Sequence, residues 1–397
     1  MIGGGQFWNL AVTIGVGQRG PVSSNRFGKG SPINTAGRRR STSAEGADAP
    51  RAREGEIEEP AHGDLVRGFY RSRVKPVLAS LRELRPYSIS NTVVMSGSPR
   101  GGTTWLASVL AMLPRSSLLW EPLDLRCSSE LREMGLEWRT YLPPEAPHAA
   151  LQSYFERVMT GRLHTERIHS QSPIGEILQT ETYIVKFVRG QMMLPWLDRH
   201  FGFAKPAILL IRHPCAVVSS QLRWGEWRGM ETPRFTTVLE AYPQFEEILS
   251  EVRSFEQKLA ALWAMEFAIA LDPQRPCPFL VVTYEQMVQD GEGQLERIFG
   301  ALGRPVPDRA VAQLRRPSVT TAADSHVVQK KSPLTGWTER LSRRQGDEIL
   351  GVVRRFGIDF YGEALEPDYR RLNQRLEGVP RSRERPIGDP RSGVTEP

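Results

Sequence analysis

Ser96-Gly97-Ser98-Pro99-Arg100-Gly101-Gly102-Thr103-Thr104-Trp105 follows directly on the run Thr92-Val93-Val94-Met95 and precedes a helix-like segment. That order reads as strand, phosphate-binding loop and helix. Glycines at 97, 101 and 102 let the backbone curl so that successive N–H groups point inward, and the helix that follows adds its N-terminal dipole, making a seat for an anion. The Gly97-to-Gly102 spacing of the pattern GxxxxGK[ST] is kept, but Thr103 stands where the lysine should be. The cation has moved into the loop as Arg100, and no later acidic strand end is placed to hold magnesium. A phosphate-bearing donor used without metal therefore fits better than ATP or GTP hydrolysis.

A second block has the same logic. Residues 205–211 form a continuous apolar run suited to a buried parallel strand, and it delivers Arg212-His213-Pro214 into a helix carrying Ser219 and Ser220. An arginine at a strand end and a serine two turns into the next helix can reach one phosphate. Residues 183–188 and the run from Phe279 add strands, and helices are expected over 64–84, 192–200 and 235–271, the last broken by Pro243 and ended by Asp272-Pro273. This alternation implies an α/β fold: one domain with a central parallel β-sheet flanked by helices and a ligand crevice at the carboxyl ends of the strands.

Together the two blocks resemble the sulfotransferases that use 3′-phosphoadenosine 5′-phosphosulfate (PAPS), a P-loop family with motifs of the forms PRSGTTxL and RxPxxVxxS. They stand here as Pro99-Arg100-Gly101-Gly102-Thr103-Thr104-Trp105-Leu106 and Arg212-His213-Pro214-Cys215-Ala216-Val217-Val218-Ser219-Ser220, within a resemblance that runs from about residue 86 to 362. It implies that Pro99 to Thr104 hold the 5′-phosphosulfate and that Arg212 and Ser220 hold the 3′-phosphate, the family spacing selecting Ser220 over Ser219. Trp105 and Tyr284, the latter in a segment similar to the family's YEDL, are then expected near the adenine. Lys330 and Lys331 open a stretch to Trp337 similar to the RKGxxGxW loop that closes over the 3′-phosphate, with Ser332 in place of a glycine.

Sulfuryl transfer needs a base for the acceptor hydroxyl and positive charge for the departing phosphate. Arg100 suits the second task. For the first, Leu118-Leu119-Trp120-Glu121-Pro122-Leu123 places a carboxylate just after a short strand, in a form similar to the EPL segment of the carbohydrate branch. Glu121 and Arg100 are thus the catalytic candidates. The small-molecule branch uses a histidine, for which His148, His164 and His169 compete; they lie in residues 126–182, read as the acceptor-binding insertion. His213 reads as a turn residue, whereas Lys186 and Arg189 either line the acceptor pocket or sit solvated at a strand end.

The formal charge of +7 suits an anionic co-substrate, but basic residues are interspersed with acids rather than gathered into an arm, which argues against specific nucleic-acid binding. Three cysteines without ligand spacing suggest neither a metal site nor a disulfide framework. Residues 1–63 are polar, charge-blocked and glycine-rich and are expected to be a disordered tail; 64–365 form the sulfotransferase domain, and 366–397 a polar C-terminal tail. No membrane span or secretion signal is apparent, so a cytoplasmic protein is expected. The acceptor expected is a hydroxyl on a carbohydrate, glycolipid or metabolite. A P-loop kinase and a non-catalytic nucleotide-binding protein are the alternatives.

Overall fold

The computed structural model describes residues 70–378 apart from 166, 225–234, 276, 319, 322–325, 327 and 330. Five apolar runs become strands: β1 (Val93–Gly97), β2 (Ser116–Trp120), β3 (Thr182–Val188), β4 (Ile208–Ile211) and β5 (Leu280–Thr283). They form one parallel sheet in the order β2-β3-β1-β4-β5. Because side chains alternate along a strand, each run splits between two cores. Val93, Met95, Leu118, Ile184, Leu210 and Val282 face one; Val94, Leu119, Val185, Phe187, Leu209 and Val281 face the other. Both faces are covered, which is why the runs are continuously apolar rather than alternating.

Helices Thr103–Leu110 and Gly291–Ala301 pack on the first face, and Ala149–Met159, Pro214–Trp224, Phe255–Ala270 and Arg343–Arg355 on the second. The helices after β1 and β4 therefore leave the adjacent strands to opposite sides, and the crevice between them opens at the carboxyl ends where the two motifs emerge. The stretch expected to be one broken helix over 235–271 is three: Thr236–Ala241, Gln244–Glu251 and Phe255–Ala270. The last starts at a capping box between Ser254 and Gln257 and is apolar nearly all round, as an interior helix must be.

Two segments depart from expectation. Of the helix expected over 64–84, residues 64–69 lie outside the described residues; the rest is a π turn at Tyr70–Val74, a short helix at Lys75–Ser80 and a 3₁₀ turn at Leu81–Leu84. Tightening to three residues per turn rotates the apolar stripe away. Leu81 is 50% exposed, while Arg82 is buried with its Nε donating to the Thr180 carbonyl at 2.8 Å. At the other end, packed chain continues past 365: Tyr369–Glu377 is a helix capped by Asp368, with Leu372 buried and Arg375 Nε donating to the Leu271 carbonyl. A charge-rich sequence hid a stripe at Tyr369, Leu372 and Leu376 that needs only one face. The expected tail boundary at 63 and residues 379–397 lie outside the described residues. No helix among those described is long and apolar enough to cross a membrane.

Candidate active site

The loop after β1 turns on a hydrogen bond from the Gly101 N–H to the Ser98 carbonyl (2.9 Å), with Arg100 and Gly102 both in the left-handed region at φ 69° and 100°. Gly102 has no alternative: a Cβ there would lie 2.6 Å from the Tyr284 ring. Gly97 is as constrained, since its Cβ would meet the Leu210 carbonyl oxygen at 2.6 Å. Thr103 is buried and Thr104 half-buried at the start of the helix. The Pro99 carbonyl accepts from Gln221 Nε2 at 3.0 Å, which ties the loop to the helix after β4.

Arg212 enters the same crevice. Its Nη1 donates to the Arg100 carbonyl (3.3 Å) and its Nη2 to the Pro333 carbonyl (3.2 Å), while the guanidinium lies 4.0 Å from the Tyr284 ring centroid. Its Nε is buried with no partner among the described residues. Arg100 Nε donates to Ser220 Oγ at 3.1 Å, and the guanidinium sits 4.5 Å from the centre of Trp224. Two groups assigned by sequence to opposite ends of one ligand are therefore in contact here. Of the two serines on this helix, Ser220 is the one bonded to the loop residue Arg100.

Trp105 Nε1 donates to the Leu314 carbonyl, and its ring meets Tyr284 edge-on at 5.5 Å, so the two aromatics form one wall beside Gly102. Lys331 is exposed, with its N–H donating to the His326 carbonyl; Lys330 lies outside the described residues. The loop that follows touches both halves of the second motif, through Pro333 on Arg212 and through Trp337, stacked on His213 at 4.6 Å. His213 is a structural residue: Nδ1 accepts from the Cys215 N–H, Nε2 donates to the Gly362 carbonyl, and burial pushes its pKa down to about 4. Below it, Glu285 accepts from the His213 N–H and from Tyr361 Oη, a buried hub that the sequence did not flag.

Glu121 directly follows β2 at φ 45°, and its N–H donates to the Lys186 carbonyl. The side chains pair as well: Lys186 Nζ lies 2.7 Å from Glu121 Oε1, and Arg167 Nη2 bridges Glu121 Oε2 at 3.6 Å and Asp124 Oδ2 at 3.2 Å. Lys186 is fully buried, 3.8 Å over the Trp120 ring, and burial pushes its pKa down against the pull of Glu121. A cavity of about 170 Å³ opens at Glu121, with Asp124, Tyr154, Thr165 and Arg167 in its wall. Lys186 is thus no solvated strand end. Arg189 is half-buried 4.5 Å from the Trp138 ring, burial lowering its pKa to about 10.

The histidines have other work. His148 Nδ1 caps its helix by accepting from the Leu151 N–H, and His164 and His169 bond to each other at 3.2 Å, with His164 also on Glu83. None of the three lines the cavity at Glu121. Arg167, and a buried carboxylate at Glu266 that bonds the loop residue Ser98, were not anticipated. Glu266 did leave a signal: it is the single charge in residues 259–271, and such a charge requires partners. Among the described residues, no group of three or more His, Cys, Asp or Glu side chains is placed to hold a metal ion.

A profile described as the sulfotransferase family matches residues 92–308. That is more than half of the chain, and the chain belongs to the sulfotransferase family. Its class is accordingly that of a transferase built on a parallel α/β sheet. Among solved structures it is similar to the sulfotransferase domain from the Synechococcus PCC 7002 olefin synthase, at 19% identity over 70% of this chain and 98% of that one, with a TM-score of 0.38. It is also similar to mouse sulfotransferase SULT7A1 complexed with PAP (15% identity, 77% and 95% coverage, TM-score 0.39) and to sulfotransferase STF9 from Mycobacterium avium (15%, 75% and 83%, 0.34). At such TM-scores the likenesses carry no argument about substrate or mechanism. No curated protein matches the sequence.

Proposed function

We propose that the protein moves a sulfuryl group from PAPS to a hydroxyl of a carbohydrate, glycolipid or small metabolite, with Glu121 as the base. The observation that carries this reading is the convergence of the two donor motifs: Arg212 reaches the Arg100 carbonyl, Arg100 reaches Ser220, and the buried Arg212 Nε points to a missing acceptor. An anion fits that orphan donor. PAPS would supply the activated sulfuryl group and a phosphate as leaving group. Arg212, Ser220 and Lys331 would grip its 3′-phosphate, and the loop from Pro99 to Thr104 its 5′ end, with Trp105 and Tyr284 beside the base.

The acceptor side is derived from Glu121. A hydroxyl lodged in the adjoining cavity gives its proton to the Glu121 carboxylate, which Lys186, seated over the Trp120 ring, holds in place. A carboxylate base is favoured over histidine because the nearest candidate imidazoles already serve as a helix cap and a hydrogen-bonded pair. Turnover of labelled PAPS against a panel of sugars, glycolipids and phenols tests the activity. Calorimetry tests the donor: adenosine 3′,5′-bisphosphate should bind far more tightly than AMP or ATP without added magnesium, and equal affinity for AMP would sink the proposal.

A further inference from the structure

Beneath the phosphate loop lies a polar cluster that the proposed chemistry does not use. Glu266, in the middle of the interior helix Phe255–Ala270, is 1% exposed and accepts three hydrogen bonds: from Ser98 Oγ at 2.8 Å, Gln191 Nε2 at 2.7 Å and Arg139 Nε at 2.7 Å. Ser98 immediately precedes Pro99-Arg100, and its carbonyl closes the loop turn by accepting from Gly101. Gln191 follows β3 and also donates to Ser98 Oγ at 3.2 Å. Arg139 belongs to residues 126–182, the segment that supplies Tyr154, Thr165 and Arg167 to the cavity at Glu121. One carboxylate thus bonds the loop after β1, the turn that follows β3 and the segment that walls the cavity together.

Stability alone does not explain the cluster. A buried ion pair recovers its desolvation cost only with good geometry and full satisfaction, and apolar residues of the same volume are often as stable. Its specific yield is geometric, because a carboxylate with three fixed donors admits one position for each of them. We propose that Glu266 is a positioning residue that sets the phosphate loop from below through Ser98. Through Arg139 it makes the grip of the loop on the 5′-phosphate of the donor depend on the segment that walls the acceptor cavity. This inference rests on the donor reading above.

The test is a double-mutant cycle on Ser98→Ala and Arg139→Lys, read by calorimetric titration with adenosine 3′,5′-bisphosphate. Arg139 and Ser98 bond opposite oxygens of the Glu266 carboxylate, so the cycle reads the coupling that this group carries between them. Each single variant should weaken binding roughly 5- to 50-fold, and the double variant no more than the worse single, since groups in one network couple by about that much. The number of sites per mole reports the folded fraction, which a merely structural role would lower while leaving the dissociation constant unchanged. Glu266→Gln, scored by the same two quantities, should weaken binding at least as much as either single change. Wild-type binding with unchanged affinity in the folded variants, or effects that simply multiply, overturns the coupling alone. Failure of the wild type to bind the bisphosphate overturns the donor reading and this inference with it.

Discussion

Lys186 Nζ and Glu121 Oε1 stand 2.7 Å apart, although they are 65 residues apart in the chain, because Trp120 and Lys186 are register partners on β2 and β3 and Glu121 is the next residue beyond the pair. The ammonium is confined between the Trp120 ring and the carboxylate, so it orients one oxygen of Glu121 and leaves the other toward Arg167 and the cavity.

Glu121→Gln keeps the size and hydrogen bonding of the side chain while abolishing its basicity. With any competent hydroxyl acceptor kcat should fall roughly 100- to 10,000-fold, the usual effect of losing a general base. Calorimetry should show the affinity for adenosine 3′,5′-bisphosphate little changed. Near-native turnover would return the base to a histidine.

Arg212→Ala and Ser220→Ala remove contacts that act in the ground and transition states alike, so steady-state kinetics should show a raised donor KM with kcat largely kept. Loss of a charge-assisted hydrogen bond costs about 1.5–3 kcal/mol, or roughly 10- to 100-fold for Arg212→Ala. Ser220→Ala should also loosen Arg100, its partner at 3.1 Å. An unchanged KM with a lost kcat would remove these residues from the 3′-phosphate.

Gly102→Ala should damage the loop without touching any charge. The left-handed backbone at φ 100° costs a non-glycine residue about 1–2 kcal/mol, and the added methyl would press on the Tyr284 ring. Thermal unfolding should fall by about 2–4 °C for each kcal/mol, and bisphosphate binding should weaken more than stability does. A variant with wild-type affinity would show that the loop does not need this close approach.

His213 predicts a pH dependence of stability. Its pKa is about 4 in the fold against an ordinary value near 6.5, so between those limits the unfolded chain binds a proton that the folded one refuses. Stability is complete above 6.5 and declines by about 1.4 kcal/mol per pH unit as pH falls toward 4. The cause is visible: a proton on Nδ1 would confront the Cys215 N–H that it now accepts. Denaturant unfolding at pH 7, 6 and 5 should give a flatter dependence for His213→Asn than for the wild type, and parallel curves would contradict the assignment.

What was legible in the sequence was whatever local chemistry dictates. Continuous apolar runs announced strands covered on both faces, and glycines marked the loop. Less legible were partners far apart in the chain. Nothing near Glu121 indicates that Lys186, 65 residues on, will neutralise it, and Arg139 and Glu266 lie 127 residues apart. The helix at Tyr369–Glu377 was missed because composition masked a stripe, and the exposure of Leu81 because a change of helical pitch is decided by what the segment packs against.

The sheet order also divides the molecule by replaceability. β1 and β4 are hydrogen-bonded on both sides, so the loop and Arg212 are anchored where any shift would disturb two neighbours. β2 is an outermost strand that pairs with one strand, β3, while its other edge is met by Ile168 and Ser172, and the segment that follows it walls the cavity at Glu121. Length and side chains there can vary without breaking the central ladder. If the central loop and Arg212 hold the donor as proposed, the molecule to be modified could be exchanged by rewriting the margin, with the middle of the sheet left as it is.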